Sequence, residues 1–241
     1  NVEYMSLYLY GLYTLLPTVK KDFMNEPNIK ILNQDCLLYM KQCEDKQFDL
    51  AIVDPPYGIL KIGMKITKTH KNGTPTVNKS HTPKDWDNLR PTKDYFYELQ
   101  RISKNQIVWG GNYFADLLPA SGCWFFWDKI NGDGSHFADG EFAWTSLKTS
   151  SKKFKCSVFD GLRGGKDRIH PTEKPKKLYD WILKNFVNEG DKIIDTHLGS
   201  GSIALSCWDR KFDLVGIEID NEYFVNANKR LNQYKKQLTL F

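Results

Sequence analysis

Residues 51–58 read AIVDPPYG. The apolar run FDLAIV, Phe48 to Val53, has the character of a buried strand, and it ends at an acid followed by two prolines and a tyrosine. Proline has no N–H to give to a ladder and is confined to strand ends and edges, so the strand must stop at Asp54. The Asp54 carboxylate and the Pro55 carbonyl then face outward at the rim of a sheet, with no obvious partner for either. Two neighbouring oxygen acceptors suit an aromatic amine. An amino group on a nucleobase is a poor nucleophile because its lone pair is delocalised into the ring. Acceptors for both N–H hydrogens favour the pyramidal nitrogen and free that pair for an electrophile. Pro55 and Pro56 stiffen the backbone that aims the oxygens, and Tyr57 offers a ring face for stacking. A base inside a duplex must be turned out of the helix to reach such a pocket, at a cost of about a few kcal/mol.

A second constellation lies near the other end of the chain. In DTHLGSGSIA, Asp195 ends a strand and Gly199, Gly201 and Ala204 open a helix. Glycines there permit a tight turn and close approach of a ligand to the backbone. Glu218 ends the next strand, 17 residues beyond Gly201, where a carboxylate can hold the two hydroxyls of a ribose. The pair suits any adenosine-containing cofactor, NAD included. An acceptor pair beside an aromatic has no use in hydride transfer.

These residues need a frame, and the hydrophobic period supplies one. Short strands are expected at 29–34, 48–53 and in NQIVWGG, CWFFWDK, EFAWTS and KCSVFDG; WFFW (124–127) reads as core and Asp128 as a turn cap. Helices are expected at 36–43, from Pro91 through PTKDYFYELQRI, and from Pro175 to about Val187. The last third alternates strand DKIIDT, helix IALSCWDR, strand FDLVGIEID and helix NEYFVNANKRLNQY, which predicts a parallel sheet covered on both faces. Two stretches break the pattern, 58–90 and 148–168, and both are rich in lysine and arginine.

A chain of 241 residues can hold one full α/β domain. Its 34 basic and 29 acidic residues leave +5, which is compatible with a polyanionic partner without requiring one. Five cysteines with no C-x-x-C pair read as reduced thiols in a cytosolic compartment and give no support to a structural zinc. Residues 4–17 are apolar but shorter than the roughly 20 residues of a membrane span, and no basic region precedes them. The expected organisation is an N-terminal extension over 1–23, a catalytic domain over 24–236 and a short tail over 237–241.

Taken together, NQDC (Asp35, Cys36), DPPYG (54–58), HPTEKP (170–175), DTHLGSGS (195–202) and GIEID (216–220) resemble the motifs of β-class amino-group DNA methyltransferases, which use S-adenosylmethionine. The resemblance runs from about Lys30 to Tyr234. It implies a Rossmann-like, doubly wound, mostly parallel seven-stranded sheet with circularly permuted motif order, in which the Asp54 and Asp195 strands are neighbours. It implies Asp54, Pro55, Pro56 and Tyr57 as the catalytic motif. For the cofactor it implies Asp195, Gly199, Ser200 and Gly201 at the methionine part and Glu218 with Ile219 at the ribose. Asp35 with Cys36 would meet the adenine, and Thr172 with Lys174 would close over the cofactor. His197 stands where the family often has Phe. No metal is implied.

Asp as the first residue of DPPY mostly accompanies N6-adenine methylation in that family, and Ser in its place points to N4-cytosine. The expected activity is therefore methylation of adenine N6 in double-stranded DNA, by a cytoplasmic, nucleoid-associated enzyme. N4-cytosine or an RNA base is the alternative; an NAD-linked oxidoreductase and a non-catalytic DNA-binding module are the readings from other classes. Candidate phosphate contacts are Lys61, Lys65, Lys68 and Lys71 in the first basic segment and Lys152, Lys153, Arg163 and Arg168 in the second. The family suggests a homodimer. The end KKQLTLF resembles the peptide by which bacterial proteins dock on the replication sliding clamp, through Gln237, Leu238, Leu240 and Phe241.

Overall fold

A computed structural model describes residues 26–58, 90–131, 138–158 and 173–238. The strands are β1 (Ile29–Leu32), β2 (Phe48–Val53), β3 (Ser103–Trp109), β4 (Trp124–Asp128), β5 (Gly140–Thr145), β6 (Lys152–Lys155), β7 (Lys192–Asp195) and β8 (Asp213–Ile217). The helices are α1 (Cys36–Met40), α2 (Lys93–Ile102), α3 (Lys176–Phe186), α4 (Ser202–Arg210) and α5 (Asn221–Leu238), with a 3-10 turn at Gly111–Phe114. Among the described residues the strands form one sheet in the order β1-β8-β7-β2-β3-β5-β4-β6. All pairings from β1 to β3 are parallel; β5 runs against its neighbours β3 and β4.

The period of two along each strand divides the core into two layers. Leu50, Ile52, Ile107, Trp109, Trp127 and Ile193 face α3, α4 and the inner side of α5. Ala51, Val53, Val108, Trp144, Ile194 and Ile217 face α1 and α2. Helix α2 shows why these segments form as they do. Thr92 sits at its N-cap in extended geometry, Asp94 lies in its first turn and Arg101 in its last, matching the helix dipole. Tyr95, Phe96, Leu99 and Ile102 then share the buried stripe. Each such side chain, removed from water, contributes roughly 1.5–3 kcal/mol before conformational entropy is counted.

Among the described residues the sheet has eight strands, one more than the seven that the family resemblance implies. The edge strand β6 is KKFK, which begins three residues before the expected KCSVFDG and shares Lys155 with it. An edge strand needs only one well-packed side chain, and Phe154 provides it by stacking on Trp181 with ring centroids 5.1 Å apart. The flanking lysines are exposed, which protects the edge from pairing with other chains. Helix α5 is also longer than expected: it continues four residues past Tyr234, so Lys235, Lys236 and Gln237 are helical, not part of an extended tail. WFFW is core at Phe125 and Trp127, and Asp128 caps a turn by accepting from the Ile130 N–H at 3.0 Å. No helix among the described residues is long and apolar enough to cross a membrane.

Candidate active site

Strands β7 and β2 are hydrogen-bonded neighbours, and from that pair the chain winds one way through β8 to β1 and the other way through β3. In an open α/β sheet this reversal opens a crevice at the carboxyl ends of the strands. Asp195 is the last residue of β7, Asp54 directly follows β2, Glu218 directly follows β8, and Asp35 follows β1 at the same edge.

On the β7–β8–β1 side the strand ends bring three carboxylates to one edge, those of Asp195, Glu218 and Asp35. Asp195 is 2% exposed, and one of its carboxylate oxygens accepts the His197 N–H at 3.0 Å. Its other oxygen has no hydrogen-bond partner among the described residues. Burial pushes the Asp195 carboxyl up to about 8, so an ammonium placed against it would relieve a real cost. Glu218 is held by two backbone donors, Gly199 N–H and Asp220 N–H, each at 2.8 Å, which fixes its carboxylate at the mouth of the turn. The turn needs glycine: Gly199 and Gly201 have φ of 54° and 73°, and a Cβ on Gly201 would lie 3.1 Å from that of Ala227.

Asp35 caps α1 through the Leu38 N–H at 2.8 Å, and Cys36 brings its sulfur to 4.0 Å from His197 Nε2. Burial pushes the Cys36 thiol up to about 12, so it stays protonated. His197 packs edge-on against Tyr95 and bonds Thr196 Oγ1 through Nδ1 at 3.0 Å; burial lowers it to about 4, so the ring is neutral at physiological pH. Ile219 stands exposed beside Glu218, while the Ser200 hydroxyl is turned inward to Ser202 at 3.1 Å.

On the β2–β3 side, Asp54 is not the unpartnered acceptor that DPPY suggests. Its Oδ1 accepts the Tyr57 hydroxyl at 2.7 Å, and its Oδ2 is ion-paired to Lys174. Lys174 therefore points at the catalytic motif, where the family resemblance had it closing over the cofactor. Its side chain is 3% exposed, lies over the Trp109 ring, and is shared with Glu141, whose Oε2 is 3.1 Å from Nζ. Lys129 holds the other Glu141 oxygen at 2.5 Å. Against the cost of burial, the Asp54 and Glu141 charges raise Lys174 and keep it an ammonium. Burial alone would raise Glu141, but Lys174 and Lys129 outweigh it and hold that carboxyl down at about 2. Burial, followed by Asp54 and Glu141, raises the Tyr57 phenol well above its ordinary value, which leaves it a hydrogen-bond donor.

Backbone packing sets the Tyr57 ring. Gly110 has φ of 68° and a Cβ there would fall 2.2 Å from a Tyr57 ring carbon, so only glycine fits. Tyr113 from the 3-10 turn stacks on Tyr57 with centroids 4.8 Å apart and planes at 18°. Pro55 is buried and Pro56 half-buried between this ring and the strand end.

Motif reasoning missed Glu141, Lys129 and Tyr113. The available signal was an acid at the head of the otherwise apolar strand EFAWTS. Lys152 and Lys153 lie on edge strand β6, four strands from β2, and Lys153 pairs with Asp128 at 2.9 Å. Lys61, Lys65, Lys68, Lys71, Arg163, Arg168, His170, Thr172, Leu240 and Phe241 lie outside the described residues.

The family model described as DNA methylase, covering N6 and N4 methyltransferases, matches residues 78–229. The type II methyltransferase M.HpaI of Haemophilus parainfluenzae is 38% identical over 243 residues, covering 84% of this chain and 74% of its own. Among solved structures, the M1.HpyAVI–SAM complex superposes with a TM-score of 0.54 at 18% identity, over 85% of this chain and 99% of that one. The PvuII DNA methyltransferase, cytosine-N4-specific, does so with a TM-score of 0.56 at 13% identity, over 88% and 93%. The likeness to these two structures is one of fold. With the family model matched over more than half its length and a curated relative this similar, the chain belongs to the N6/N4 DNA methylase family.

Proposed function

We propose that this protein transfers a methyl group from S-adenosylmethionine to the N6 amino group of adenine in double-stranded DNA. One observation carries the reading: Asp54 and the glycine turn that follows Asp195 lie side by side at the carboxyl ends of hydrogen-bonded strands β2 and β7. When bound, the cofactor supplies a methyl group on a cationic sulfur, an electrophile in need of an amine nucleophile.

The chain's own residues fit that group. Asp195, with one oxygen unpartnered and its carboxyl pushed up by burial, suits the cofactor's ammonium. Glu218, pinned by two N–H groups and followed by exposed Ile219, suits the ribose hydroxyls, and Asp35 with Cys36 suits the adenine. Gly199 and Gly201 let the backbone approach. Across the crevice, Asp54 takes an N–H of the target amine, Tyr57 supports the base, and the proton lost from nitrogen passes toward the Asp54 carboxylate. Alignment of the two reactants is worth up to about 7–11 kcal/mol, so positioning supplies most of the rate.

Asp at the head of DPPY favours adenine N6, whereas the fold is shared with an enzyme whose name specifies cytosine N4. The family match leaves the oxidoreductase and non-catalytic readings without support. Incubating the protein with tritiated cofactor and genomic DNA, then digesting to nucleosides, tests the proposal. Label in N6-methyldeoxyadenosine is expected; label in N4-methyldeoxycytidine moves the target to cytosine, and no label in DNA ends the reading.

A further inference from the structure

The carboxylate that must receive the target amine is already occupied. Asp54 Oδ1 is taken by the Tyr57 hydroxyl and Oδ2 by the Lys174 ammonium. Tyr57 is tethered three residues away, but Lys174 has a second carboxylate, Glu141, 3.1 Å from the same Nζ. The four charges Asp54, Glu141, Lys174 and Lys129 balance in two ammonium–carboxylate pairs. An amine that enters between Asp54 and a methyl donor gains positive charge as its bond forms. A lysine still paired with Asp54 would oppose that charge and reduce the acceptor strength of the carboxylate.

We propose that Glu141 is a positioning residue: when the target amino group binds, the Lys174 ammonium moves from Asp54 to Glu141, and the negative charge of Glu141 keeps it there during transfer. Lys174 thus stands in for the substrate amine, with its ammonium N–H groups on the carboxylate that the base amine will use. The arrangement gives a lysine buried at 3% exposure two carboxylates between which to move, Asp54 and Glu141. It also gives Lys129 a task, because Lys129 fixes Glu141 by its other oxygen. The inference rests on the reading that Asp54 binds the target amine.

Two substitutions separate a charge role from a packing role. Glu141→Gln keeps the shape and hydrogen bonding but removes the charge; Glu141→Asp keeps the charge and shortens the side chain. Single-turnover methylation of a DNA duplex should fall by roughly tenfold to a thousandfold in Glu141→Gln. Glu141→Asp should remain faster than Glu141→Gln, and cofactor affinity measured by calorimetry should stay unchanged in both. If Gln is as fast as wild type, or faster than Asp, Glu141 acts by packing and the proposal is overturned. A crystal structure of the wild-type protein with duplex DNA and a non-reactive cofactor analogue gives a second measurement, independent of how either variant folds. Lys174 Nζ should lie nearer Glu141 than Asp54; an ammonium still seated on Asp54 beside the flipped base overturns the idea. Absence of methylation by the wild-type protein would be a failure of the functional reading itself, whereas an active wild type with indifferent variants would sink this inference alone.

Discussion

Glu173 and Lys174 are consecutive in the chain, yet they serve opposite sides of the crevice. Glu173 Oε1 is 2.7 Å from Arg230 Nη1 and also accepts the Ser202 hydroxyl at 3.1 Å, at the start of the helix that follows the glycine turn. Lys174 reaches across to Asp54 and Glu141. One peptide bond therefore ties the glycine-turn side of the crevice to the Asp54 side.

Arg230→Ala should be costly for that reason. Arg230 also donates to the Ser200 carbonyl at 3.1 Å, and its loss takes an ion-pair partner at 2.7 Å away from the Glu173 carboxylate, which is 3% exposed. Breaking a buried pair from one side costs about 3–5 kcal/mol, which for a domain of this size lowers Tm by roughly 6–20 °C. A thermal melt within a degree or two of wild type would show that water replaces the arginine.

Asp54→Asn exchanges one acceptor oxygen for a donor and should slow methylation by roughly a hundredfold or more. Cofactor binding on the proposed reading draws on Asp195, Glu218 and the glycine turn instead, so the thermal shift on adding S-adenosylmethionine should persist. Loss of both signals together would place Asp54 in the cofactor site.

Gly110→Ala tests how Tyr57 is placed. A Cβ 2.2 Å from its ring at a φ of 68° forces the ring aside and strains the backbone, at a cost of about 1–3 kcal/mol. Methylation should fall while cofactor affinity holds; an unchanged rate would mean that Tyr57 has no part in holding the base.

Asp195 sets a pH dependence whose sign follows from its raised pKa. Unfolded, this acid titrates near 3.8; in the folded protein without ligand it keeps its proton up to about 8. The native state therefore binds more protons between those values, and this residue's contribution to stability declines as pH rises from about 4 to about 8. An ammonium ligand needs the carboxylate form. Cofactor affinity should accordingly increase with pH toward 8 with release of a proton, seen as a dependence of calorimetric heat on buffer ionisation enthalpy. In Asp195→Asn the proton release should vanish; its persistence would assign it elsewhere. His197, neutral down to about 4, does not contribute over this range.

Lys65→Glu with Lys68→Glu probes the first basic segment. If both lysines meet phosphates, DNA affinity falls and the slope of log K against log salt flattens by about 1.8. Equal affinity at low salt would leave these lysines as a solvated face.

Much of the site was legible because its signals are local. DPPY carries its own stop for β2, and the glycine turn carries both its strand end and its helix start within one short run. The neighbourhood of β2 and β7 was implied by the family resemblance. Glu141 was not legible in the same way. It meets Lys174 only because β5 reverses direction beside β3, and nothing in EFAWTS distinguishes an antiparallel strand from a parallel one. Asp54 was read as vacant because a partner more than a hundred residues away leaves no trace in its surroundings. The end of α5 was missed since KKQL contains good helix formers and no glycine or proline to stop it.

The reversed strand also fixes which loops belong to the crevice. A parallel strand delivers its final residues there, but β5 delivers its first, so Lys129, just after β4, and Glu141, near the start of β5, lie on the same rim as the turns after β2 and β7. Because side chains alternate across a sheet, slipping β5 by a single residue would swing the acid to the α1–α2 face and strand the ammonium. Hairpin register is thus an electrostatic setting here, and insertions far from either sequence motif should silence the enzyme while leaving both motifs intact.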